Sequence, residues 1–259
     1  MRVLFVGDVV GRPGRDAVMA LVPRLRSELK LDVVVANAEN VAAGRGLTPD
    51  IGGQLLQRGV DVLTGGNHIW HYREIEEYLS RESRAIRPAN YPEAPGRGAH
   101  VVRLNDNRSL GVIQIEGRVF MRPLDCPFTA IERELTKMGR TTGVLVDLHC
   151  EATSEKQALA WYFDGQISAA IGTHTHVQTA DERILPKGTA YLTDAGMTGP
   201  LDSVIGMDIE LSIRRMRTQR GTEHRVARNN VKLCGVVIDI DDSTGKAVRI
   251  DRLQRPYVA

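Results

Sequence analysis

The segment Val3-Leu4-Phe5-Val6-Gly7-Asp8 sets the expectation for the fold. Its four apolar residues have the length and uniform character of a strand buried on both faces, as in parallel sheets. Residues 15–29 follow with apolar side chains at helical spacing, although Pro23 is expected to kink or split that helix because it lacks an N–H group. A strand that runs into a helix is the unit from which α/β proteins are built.

The same alternation continues along the chain. Further strands are predicted at residues 33–36, 60–64, 101–104, 110–115, 143–148, 167–171, 232–240 and 247–253, and further helices at residues 49–56, 74–79, 129–137 and 155–163. The early alternation favours parallel strands, whereas the later hairpins favour antiparallel pairing. A mixed α/β fold satisfies both, either as one large mixed sheet or as two sheets packed face to face with helices outside.

The composition excludes several classes of protein. The 259 residues include 34 Lys and Arg against 32 Asp and Glu, and apolar residues make up 42% of the chain. This apolar content excludes a disordered protein, and the near balance of charge disfavours a broad nucleic-acid or membrane-binding surface. Three scattered cysteines are too few for a disulfide framework and fit a reducing compartment. No signal peptide or membrane span is predicted, so a cytoplasmic protein is expected.

We predict a single domain over residues 1–259. No internal repeat, low-complexity tract or linker interrupts the pattern. Residues 197–230 are glycine-rich at first and then arginine-rich and polar, and this composition predicts a lid or excursion from the main fold.

Five predicted strands end in polar side chains that can bind metals. The stretches are Val6-Gly7-Asp8, Ala36-Asn37-Ala38-Glu39-Asn40, Thr64-Gly65-Gly66-Asn67-His68, Val146-Asp147-Leu148-His149 and Ile171-Gly172-Thr173-His174-Thr175-His176. Because ligands of open α/β sheets bind beyond the carboxyl ends of the strands, these side chains are expected to converge. Each stretch by itself is equally typical of a turn or a helix cap.

Four of the seven histidines stand at such strand ends, namely His68, His149, His174 and His176. His174 and His176 are two residues apart, so both side chains are expected to face the same way. Imidazole combined with carboxylate groups favours Mn, Fe, Zn or Ni over Ca. The three other histidines lack this context and are assigned to surface or structural roles.

Taken together, these stretches resemble the motif blocks of a known superfamily. The set Asp8, Asn37-Ala38-Glu39-Asn40, Gly66-Asn67-His68, His149 and Gly172-Thr173-His174-Thr175-His176 is similar to the five blocks of the calcineurin-like metallophosphoesterases. More narrowly, residues 5–11, 37–40 and 172–181 resemble the YmdB-like branch. The resemblance spans almost the whole chain. It implies two stacked mixed β-sheets flanked by helices, a four-layer α/β/β/α sandwich, and a phosphodiesterase acting on small cyclic nucleotides such as 2′,3′-cAMP.

The resemblance also implies a dinuclear centre of divalent transition-metal ions, with Fe or Mn expected and Zn as the alternative. One ion would be held by Asp8, Glu39 and His176, and the other by Glu39, Asn67, His149 and His174, with Glu39 bridging. Two positions depart from the superfamily pattern, since Val10 stands where a histidine is usual and Glu39 where an aspartate is usual. Asn40 is expected to fill the place left by Val10. His68 is assigned as the catalytic residue.

The charges of such a centre suit a phosphodiester. Two divalent ions, two carboxylates and a bridging hydroxide leave a charge of about +1, which matches the single negative charge of the substrate. His68 would stabilise charge on the phosphorus or protonate the leaving ribose oxygen. Asp147 is expected either to orient a ligand imidazole or to cap the strand end, Glu151 to form loop hydrogen bonds, and Cys150 to point away from the ions.

Other functions are left open by the sequence. A phosphomonoesterase or a ribonuclease would use the same chemistry, and a nucleotide- or RNA-binding regulatory protein with weak or no catalysis would suit the missing histidine at position 10. A small cyclic nucleotide is the expected partner. RNA is unsupported by the net charge, no membrane partner is expected, and a homo-oligomer is left open.

The arginines near the predicted site are interpreted mainly as surface charges. Arg12, Arg15 and Arg45 lie in loops close to the metal-competent blocks, where solvated charge is favoured over a phosphate contact. Residues 214–217 suit an RNA contact, an exposed helix face or a subunit contact equally well. A dinucleotide-binding fold is disfavoured because the glycines at positions 7, 11 and 14 do not match its motif.

Overall fold

Strands and helices alternate along residues 1–258, which are the residues that the computed structural model describes; residue 259, the end of the predicted domain, lies outside them. The strands are β1 Arg2–Val6, β2 Asp8–Val9, β3 Val33–Asn37, β4 Val62–Thr64, β5 Ala99–Arg103, β6 Ser109–Glu116, β7 Gly143–His149, β8 Ala169–Thr173, β9 Arg183–Ile184, β10 Ala190–Leu192, β11 Met197–Pro200, β12 Val231–Ile240 and β13 Ala247–Pro256. The helices are α1 Gly11–Leu29, α2 Pro49–Gln57, α3 Ile75–Arg81, α4 Pro127–Met138, α5 Thr153–Tyr162 and α6 Ile209–Thr218, with a short 3₁₀ helix at Ile69–His71.

The strands form two mixed sheets. In the first sheet the order is β2-β11-β12-β1-β3-β4, and β13 also pairs with β12. Strands β1, β3 and β4 are parallel to one another, whereas β12 is antiparallel to both β1 and β13. In the second sheet the order is β5-β6-β7-β8-β10-β9, with β6, β7, β8 and β10 parallel. The predicted combination of parallel strands and antiparallel hairpins is therefore confirmed.

The two sheets pack face to face between outer layers of helices. Along β1, Val3 and Phe5 belong to a core cluster that contains residues of both sheets, whereas Leu4 and Val6 belong to a cluster shared with α1, α2 and α3. A third cluster packs α4 and α5 against the outer face of the second sheet. This alternation with a period of two is expected of a strand that is buried on both faces. The predicted four-layer α/β/β/α sandwich is confirmed.

The first helix corrects one part of an expectation from the sequence, namely that Pro23 splits it. Helix α1 runs from Gly11 to Leu29 as one element with Pro23 inside it, so Pro23 does not split the helix. Pro23 itself is exposed, whereas Val18, Leu21 and Leu25 of the same helix are buried against the first sheet. Packing of an apolar helix face supplies most of the stability of a helix in a folded protein. That packing outweighs the backbone hydrogen bond that Pro23 cannot donate.

The excursion is shorter than predicted. Residues 197–200 form β11, which pairs with β2 and with β12 inside the first sheet and is fully buried. The irregular segment therefore begins after Pro200 and contains α6. Its action as a lid stays a prediction.

None of the helices in residues 1–258 combines the length and the apolar character needed to cross a membrane.

Candidate metal centre

The carboxyl ends of strands from both sheets meet at one edge of the sandwich, and the predicted site residues lie there. Asp8 begins β2, Glu39 and Asn40 follow β3, Asn67 and His68 follow β4, His149 ends β7, and His174 and His176 follow β8. Two groups of three side chains can hold a metal ion, namely Asp8, Glu39 and His176, and Glu39, His149 and His174. Within each group, one ligand atom from each residue lies within 4.8 Å of the others. Glu39 is common to both groups.

Glu39 occupies the centre of this cluster and is almost completely buried. Its Oε2 lies 3.2 Å from His149 Nε2 and accepts a hydrogen bond of 3.1 Å from the backbone N–H of His68. Its Oε1 accepts a hydrogen bond of 2.9 Å from the side-chain amide of Asn40. Burial raises the pKa of Glu39, but the neighbouring His149 and His68 outweigh burial and hold that pKa well below its ordinary value. Glu39 is therefore an ionised carboxylate in the protein interior.

His149 presents one ring nitrogen to three other polar atoms. Its Nε2 lies 3.0 Å from Asn67 Oδ1, 3.1 Å from His174 Nδ1 and 3.2 Å from Glu39 Oε2. Its Nδ1 lies 2.8 Å from the hydroxyl of Thr173, which itself donates to a carboxylate, so the hydrogen-bond network assigns the proton of the neutral ring to Nδ1. His174 Nε2 faces the Glu151 carboxylate at 3.1 Å, which leaves His174 Nδ1 as an acceptor. Four atoms with lone pairs then face one another, an arrangement that a cation satisfies.

The electrostatics of the two central histidines differ. Burial lowers the pKa of His149, but the Glu39 and Asp8 carboxylates raise it to about 9. These carboxylates therefore require a positive charge nearby, and a divalent ion can supply it in place of the imidazole proton. Burial and the charge of His149 lower the pKa of His174 to about 3, so that its ring is neutral and able to bind a metal.

Asp8 carries an orphaned polar atom. Its side chain is fully buried, its Oδ2 accepts a hydrogen bond of 3.0 Å from the backbone N–H of His174, and its Oδ1 has no hydrogen-bond partner within residues 1–258. Oδ1 lies 3.8 Å from His176 Nε2, and the other ring nitrogen of His176 donates to the carbonyl of Ile205 at 2.9 Å. A buried carboxylate oxygen without a partner is costly. Beside an imidazole lone pair it forms a suitable metal ligand, so the residues present fit metal ions.

Asn40 lies next to the position at which the chain departs from the superfamily pattern, since Val10 and Asn40 are β-bridge partners. Asn40 Nδ2 lies 3.2 Å from His176 Nε2, and Asn40 Oδ1 accepts from His68 Nδ1 at 2.8 Å. Asn40 therefore joins His68 to Glu39 and His176. The structure thus brings all eight predicted site residues into one cluster, while the assignment of the seven as metal ligands and of His68 as the catalytic residue stays a prediction.

Thr173 connects Asp147 to His149, a bridging role that the sequence analysis does not predict. The hydroxyl of Thr173 donates to Asp147 Oδ1 at 2.7 Å and accepts from His149 Nδ1 at 2.8 Å. Asp147 Oδ2 also accepts from the Thr64 hydroxyl at 2.5 Å and from the Asn37 amide at 3.0 Å. Burial raises the pKa of Asp147 to about 6, against the opposing effect of His149. Partners of this kind fix the orientation and tautomer of a ligand imidazole.

A buried ion pair fixes the loop that carries His174 and His176. Lys156 Nζ lies 2.9 Å from Asp194 Oδ2, and both side chains are completely buried. The same carboxylate oxygen accepts the backbone N–H and the hydroxyl of Thr175 at 3.1 and 2.7 Å. The two histidines have φ angles of 94° and 65°, in the left-handed region that is costly for residues other than glycine. Neither Lys156 nor Asp194 belongs to a predicted motif.

Gly66 lies directly beside the central groups of the site, whereas Cys150 faces away from them. A Cβ atom at Gly66 would lie 2.2 Å from Glu39 Oε2 and 2.5 Å from His149 Nε2, so only glycine fits beside the central groups. Cys150 follows His149 directly and is buried in the cluster on the outer face of the second sheet. The expectation that Cys150 points away from the site is confirmed.

Comparison with known proteins identifies relatives over nearly the whole length of the chain. A family model described as YmdB-like protein matches residues 4–253. A protein of Bacillus subtilis (strain 168) named 2′,3′-cyclic-nucleotide 2′-phosphodiesterase is 51% identical over 255 residues, which cover 98% of this chain and 96% of the relative.

Two solved structures share the fold. A hypothetical protein from Thermus thermophilus matches with a TM-score of 0.92 and 42% identity over 99% of both chains. A protein from Mycoplasma pneumoniae described as a novel phosphatase matches with a TM-score of 0.92 and 33% identity, covering 99% of this chain and 93% of the other.

Proposed function

The chain belongs to the YmdB-like protein family, and from this membership and the geometry of the site we propose that it is a metal-dependent phosphodiesterase acting on 2′,3′-cyclic nucleotides. The relative from Bacillus subtilis, 51% identical over nearly the whole chain, carries the name of that activity. Because the match covers 98% of this chain and 96% of the relative, it supports inferring the relative's activity for the whole chain and not for a fragment of it.

One observation carries the proposal, namely the two metal-competent groups that share Glu39. We infer that Asp8, Glu39 and His176 hold one divalent ion, with Asn40 beside them. Glu39, Asn67, His149 and His174 hold the second. The orphaned Asp8 Oδ1 and the convergence of lone pairs on His149 Nε2 support both assignments. Mixed imidazole, amide and carboxylate ligands suit Fe or Mn, with Zn as the alternative.

The residues of the chain have distinct tasks in this reaction. When bound, the ions would supply Lewis acidity that polarises phosphoryl oxygens and activates water. Asn40 Oδ1 accepts a hydrogen bond from the N–H group at His68 Nδ1, which leaves Nε2 of this partly exposed ring for the substrate. A proton held on Nε2 can pass to the ribose oxygen that leaves the phosphorus, a contribution of typically about 10²–10⁴-fold in rate. Cleavage of the bond to the 2′ oxygen leaves a 3′-phosphate.

The test is hydrolysis of 2′,3′-cAMP by the purified protein, with elemental analysis of the same sample. We expect about two transition-metal ions per chain, formation of adenosine 3′-monophosphate, and loss of turnover after chelation with recovery on adding Mn²⁺ or Fe²⁺. A metal-replete protein without turnover, or a rate that does not depend on metal, would contradict the proposal.

A phosphomonoesterase is the competing function, because the structural relative from Mycoplasma pneumoniae is described as a phosphatase. The two functions are separated by comparing kcat/KM for 2′,3′-cAMP, for adenosine 3′-monophosphate and for a short RNA on the same metal-loaded sample. A diesterase prefers the cyclic substrate, whereas a monoesterase prefers the product. Tight binding of 2′,3′-cAMP to metal-free protein, without turnover when metal is added, would instead indicate a regulatory nucleotide-binding protein.

A further inference from the structure

A cavity of about 450 Å³ opens between the loop that follows Asn40 and the excursion after β11. Arg45 lines it on the first side, and Arg215, Arg220 and Arg225 line it on the second, together with His224. We call it the arginine cavity. It belongs to neither of the metal-competent groups, and the function proposed above does not use it.

The arginine cavity carries an excess of positive charge. Four arginines line it, against the two carboxylates Asp208 and Glu223. Arg225 forms ion pairs with both carboxylates, at 3.8 Å with Asp208 and at 2.7 Å with Glu223. The three other arginines of the cavity form no ion pair with any residue in the range 1–258. The chain as a whole is almost neutral, with 34 basic and 32 acidic residues. The local excess of arginine therefore produces a positive electrostatic potential at this one place on the surface.

Short stretches of chain connect both walls of the arginine cavity to residues in or beside the metal centre. Arg45 comes five residues after Asn40, and Met207, which lines the opposite wall, comes two residues after Ile205, whose carbonyl accepts from His176. Two residues span at most about 7 Å, which places that wall close to the imidazole. The loop of Arg45 is fixed on both sides, because a Cβ at Gly44 would meet His224 at 3.0 Å and a Cβ at Gly46 would meet His71 at 2.9 Å. The contact between Ile205 and His176 therefore places one wall of the arginine cavity close to the metal centre, and the tight packing at Gly44 and Gly46 restricts the loop that forms the other wall.

The chemistry of the lining selects an anion over a nucleobase. No phenylalanine, tyrosine or tryptophan is among the described residues that line the cavity, and stacking of a base uses such rings. Guanidinium groups, in contrast, bind phosphate through two parallel hydrogen bonds. A cyclic phosphate held at the metal centre leaves the 5′ side of its ribose as the point at which a second phosphate can be attached.

We propose that the arginine cavity binds a second phosphate of the substrate, so that the preferred substrate is a 2′,3′-cyclic nucleotide bearing a phosphate group on its 5′ oxygen. The inference rests on the function proposed above. The second phosphate has two chemical sources, a 5′-monophosphate or the diester link to a preceding nucleotide. Three substrates distinguish them, namely 2′,3′-cAMP, its 5′-phosphorylated form and the dinucleotide ApA with a 2′,3′-cyclic phosphate end.

The first experiment measures kcat/KM for these three substrates with metal-loaded protein. We expect kcat/KM of at least one phosphate-bearing substrate to exceed that of 2′,3′-cAMP by about tenfold or more, since charge-assisted hydrogen bonds from guanidinium groups to phosphate are stronger than neutral ones. A larger value for the 5′-monophosphate indicates a terminal phosphate, and a larger value for the dinucleotide indicates an RNA end. Values for all three substrates within twofold of one another would overturn the inference while leaving the proposed diesterase intact.

A pair of variants on one helix tests the residues. Arg215→Gln is expected to reduce the ratio of kcat/KM between the preferred substrate and 2′,3′-cAMP by about tenfold, because one guanidinium contact is lost. Arg217→Gln is the matched control, since Arg217 lies in the same last turn of α6, is also exposed, and does not line the cavity. Equal ratios in the two variants would contradict the assignment.

A binding measurement decides the inference even if no substrate is turned over. Adenosine 3′,5′-bisphosphate and adenosine 3′-monophosphate are titrated calorimetrically into metal-loaded protein. We expect the bisphosphate to bind about tenfold more tightly, and this difference to shrink in Arg215→Gln and with added salt. Equal affinities in the wild type would overturn the inference. Absence of turnover with all cyclic substrates would overturn the proposed function separately.

Discussion

The Nδ1 atom of His176 lies 2.9 Å from the carbonyl oxygen of Ile205. This hydrogen bond joins the excursion after β11 to a metal-competent histidine and leaves Nε2 as the ring nitrogen that faces Asp8. Ile205 makes the contact from a left-handed backbone conformation with φ of 48°, which is unfavourable for a β-branched residue. Its side chain is 54% exposed, so little packing compensates for that strain.

Replacement of Ile205 by asparagine should therefore stabilise the protein. Asparagine tolerates the left-handed region, and the carbonyl that accepts from His176 is retained, so we expect the free energy of unfolding to rise by about 1 kcal/mol. Chemical denaturation measures this change. Ile213→Asn is the control, because Ile213 is similarly exposed but lies inside α6, where asparagine lowers helix stability. A loss of stability in Ile205→Asn would show that the backbone there is not strained.

The hydroxyl of Thr173 should matter for metal affinity more than for the fold. Thr173→Val preserves the shape of the side chain but removes the acceptor for His149 and a donor to Asp147. We expect the affinity for metal to fall about 10–100-fold, as for other residues that orient a ligand imidazole. Competition with a chromophoric chelator measures the dissociation constants. Thr173→Ser keeps the hydroxyl and should retain most of the affinity; equal affinities in the two variants would refute the bridging role.

Glu39→Gln should abolish binding at both metal positions. The substitution removes the negative charge shared by the two metal-competent groups while keeping nearly the same volume. We expect elemental analysis to find little metal and the rate with 2′,3′-cAMP to fall to that of the chelated wild type. Glu76→Gln, an exposed position on α3, should change neither quantity. Full diesterase activity of Glu39→Gln in metal-replete buffer would disprove the shared role.

Pro23→Ala should stabilise the first helix. Alanine restores an N–H group that can donate to the carbonyl of Met19 and removes the clash of the proline ring with the preceding turn, so we expect a gain of about 1–3 kcal/mol in the free energy of unfolding. Because Pro23 is exposed, no core contact is lost. Pro49 begins α2, where proline is favoured, so Pro49→Ala should give no gain. Equal effects of the two substitutions would show that Pro23 causes no strain.

The turn between β12 and β13 should contribute stability that depends on pH. Hydrogen bonds from Ser243 and Thr244 to Asp241 Oδ1 lower the pKa of Asp241 to about 2. Because the pKa is depressed in the folded state, the stabilisation is fully present above the unfolded value of about 3.9 and is lost as the pH falls through about 2. The difference in unfolding free energy between the wild type and Asp241→Asn should therefore be constant and largest above about pH 5, and should narrow as the pH falls toward about 2.5. A constant difference would contradict this account.

The position of the candidate site could be predicted from the sequence because the carboxyl ends of parallel strands lie at the same edge of a sheet. Asp8, Glu39 and His149 each follow a run of apolar residues, and parallel strands bring such ends together whatever the details of the packing. The supporting contacts could not be predicted in the same way. Lys156 and Asp194 are separated by 38 residues and meet only once α5 and the loop after β10 are in place.

The short strands escaped prediction for a related reason. Asp8–Val9 and Met197–Pro200 are too short to show a period, and their pairing depends on the position of β12, which comes later in the chain. Periodicity identifies elements that are long enough to repeat, such as α1. Strands β2 and β11 are therefore defined by the strands beside them and not by their own composition.

Because Glu39 belongs to both metal-competent groups, substitutions of different site residues would have unequal consequences for the proposed centre. Loss of His176 removes a ligand from one group only, and loss of His174 removes a ligand from the other group only. A descendant altered at either histidine can therefore pass through a form with a single ion, on which selection can still act. If the proposed centre holds two ions, a descendant altered at Glu39 would have no such intermediate, since one codon change would remove the ligand that both metal-competent groups share.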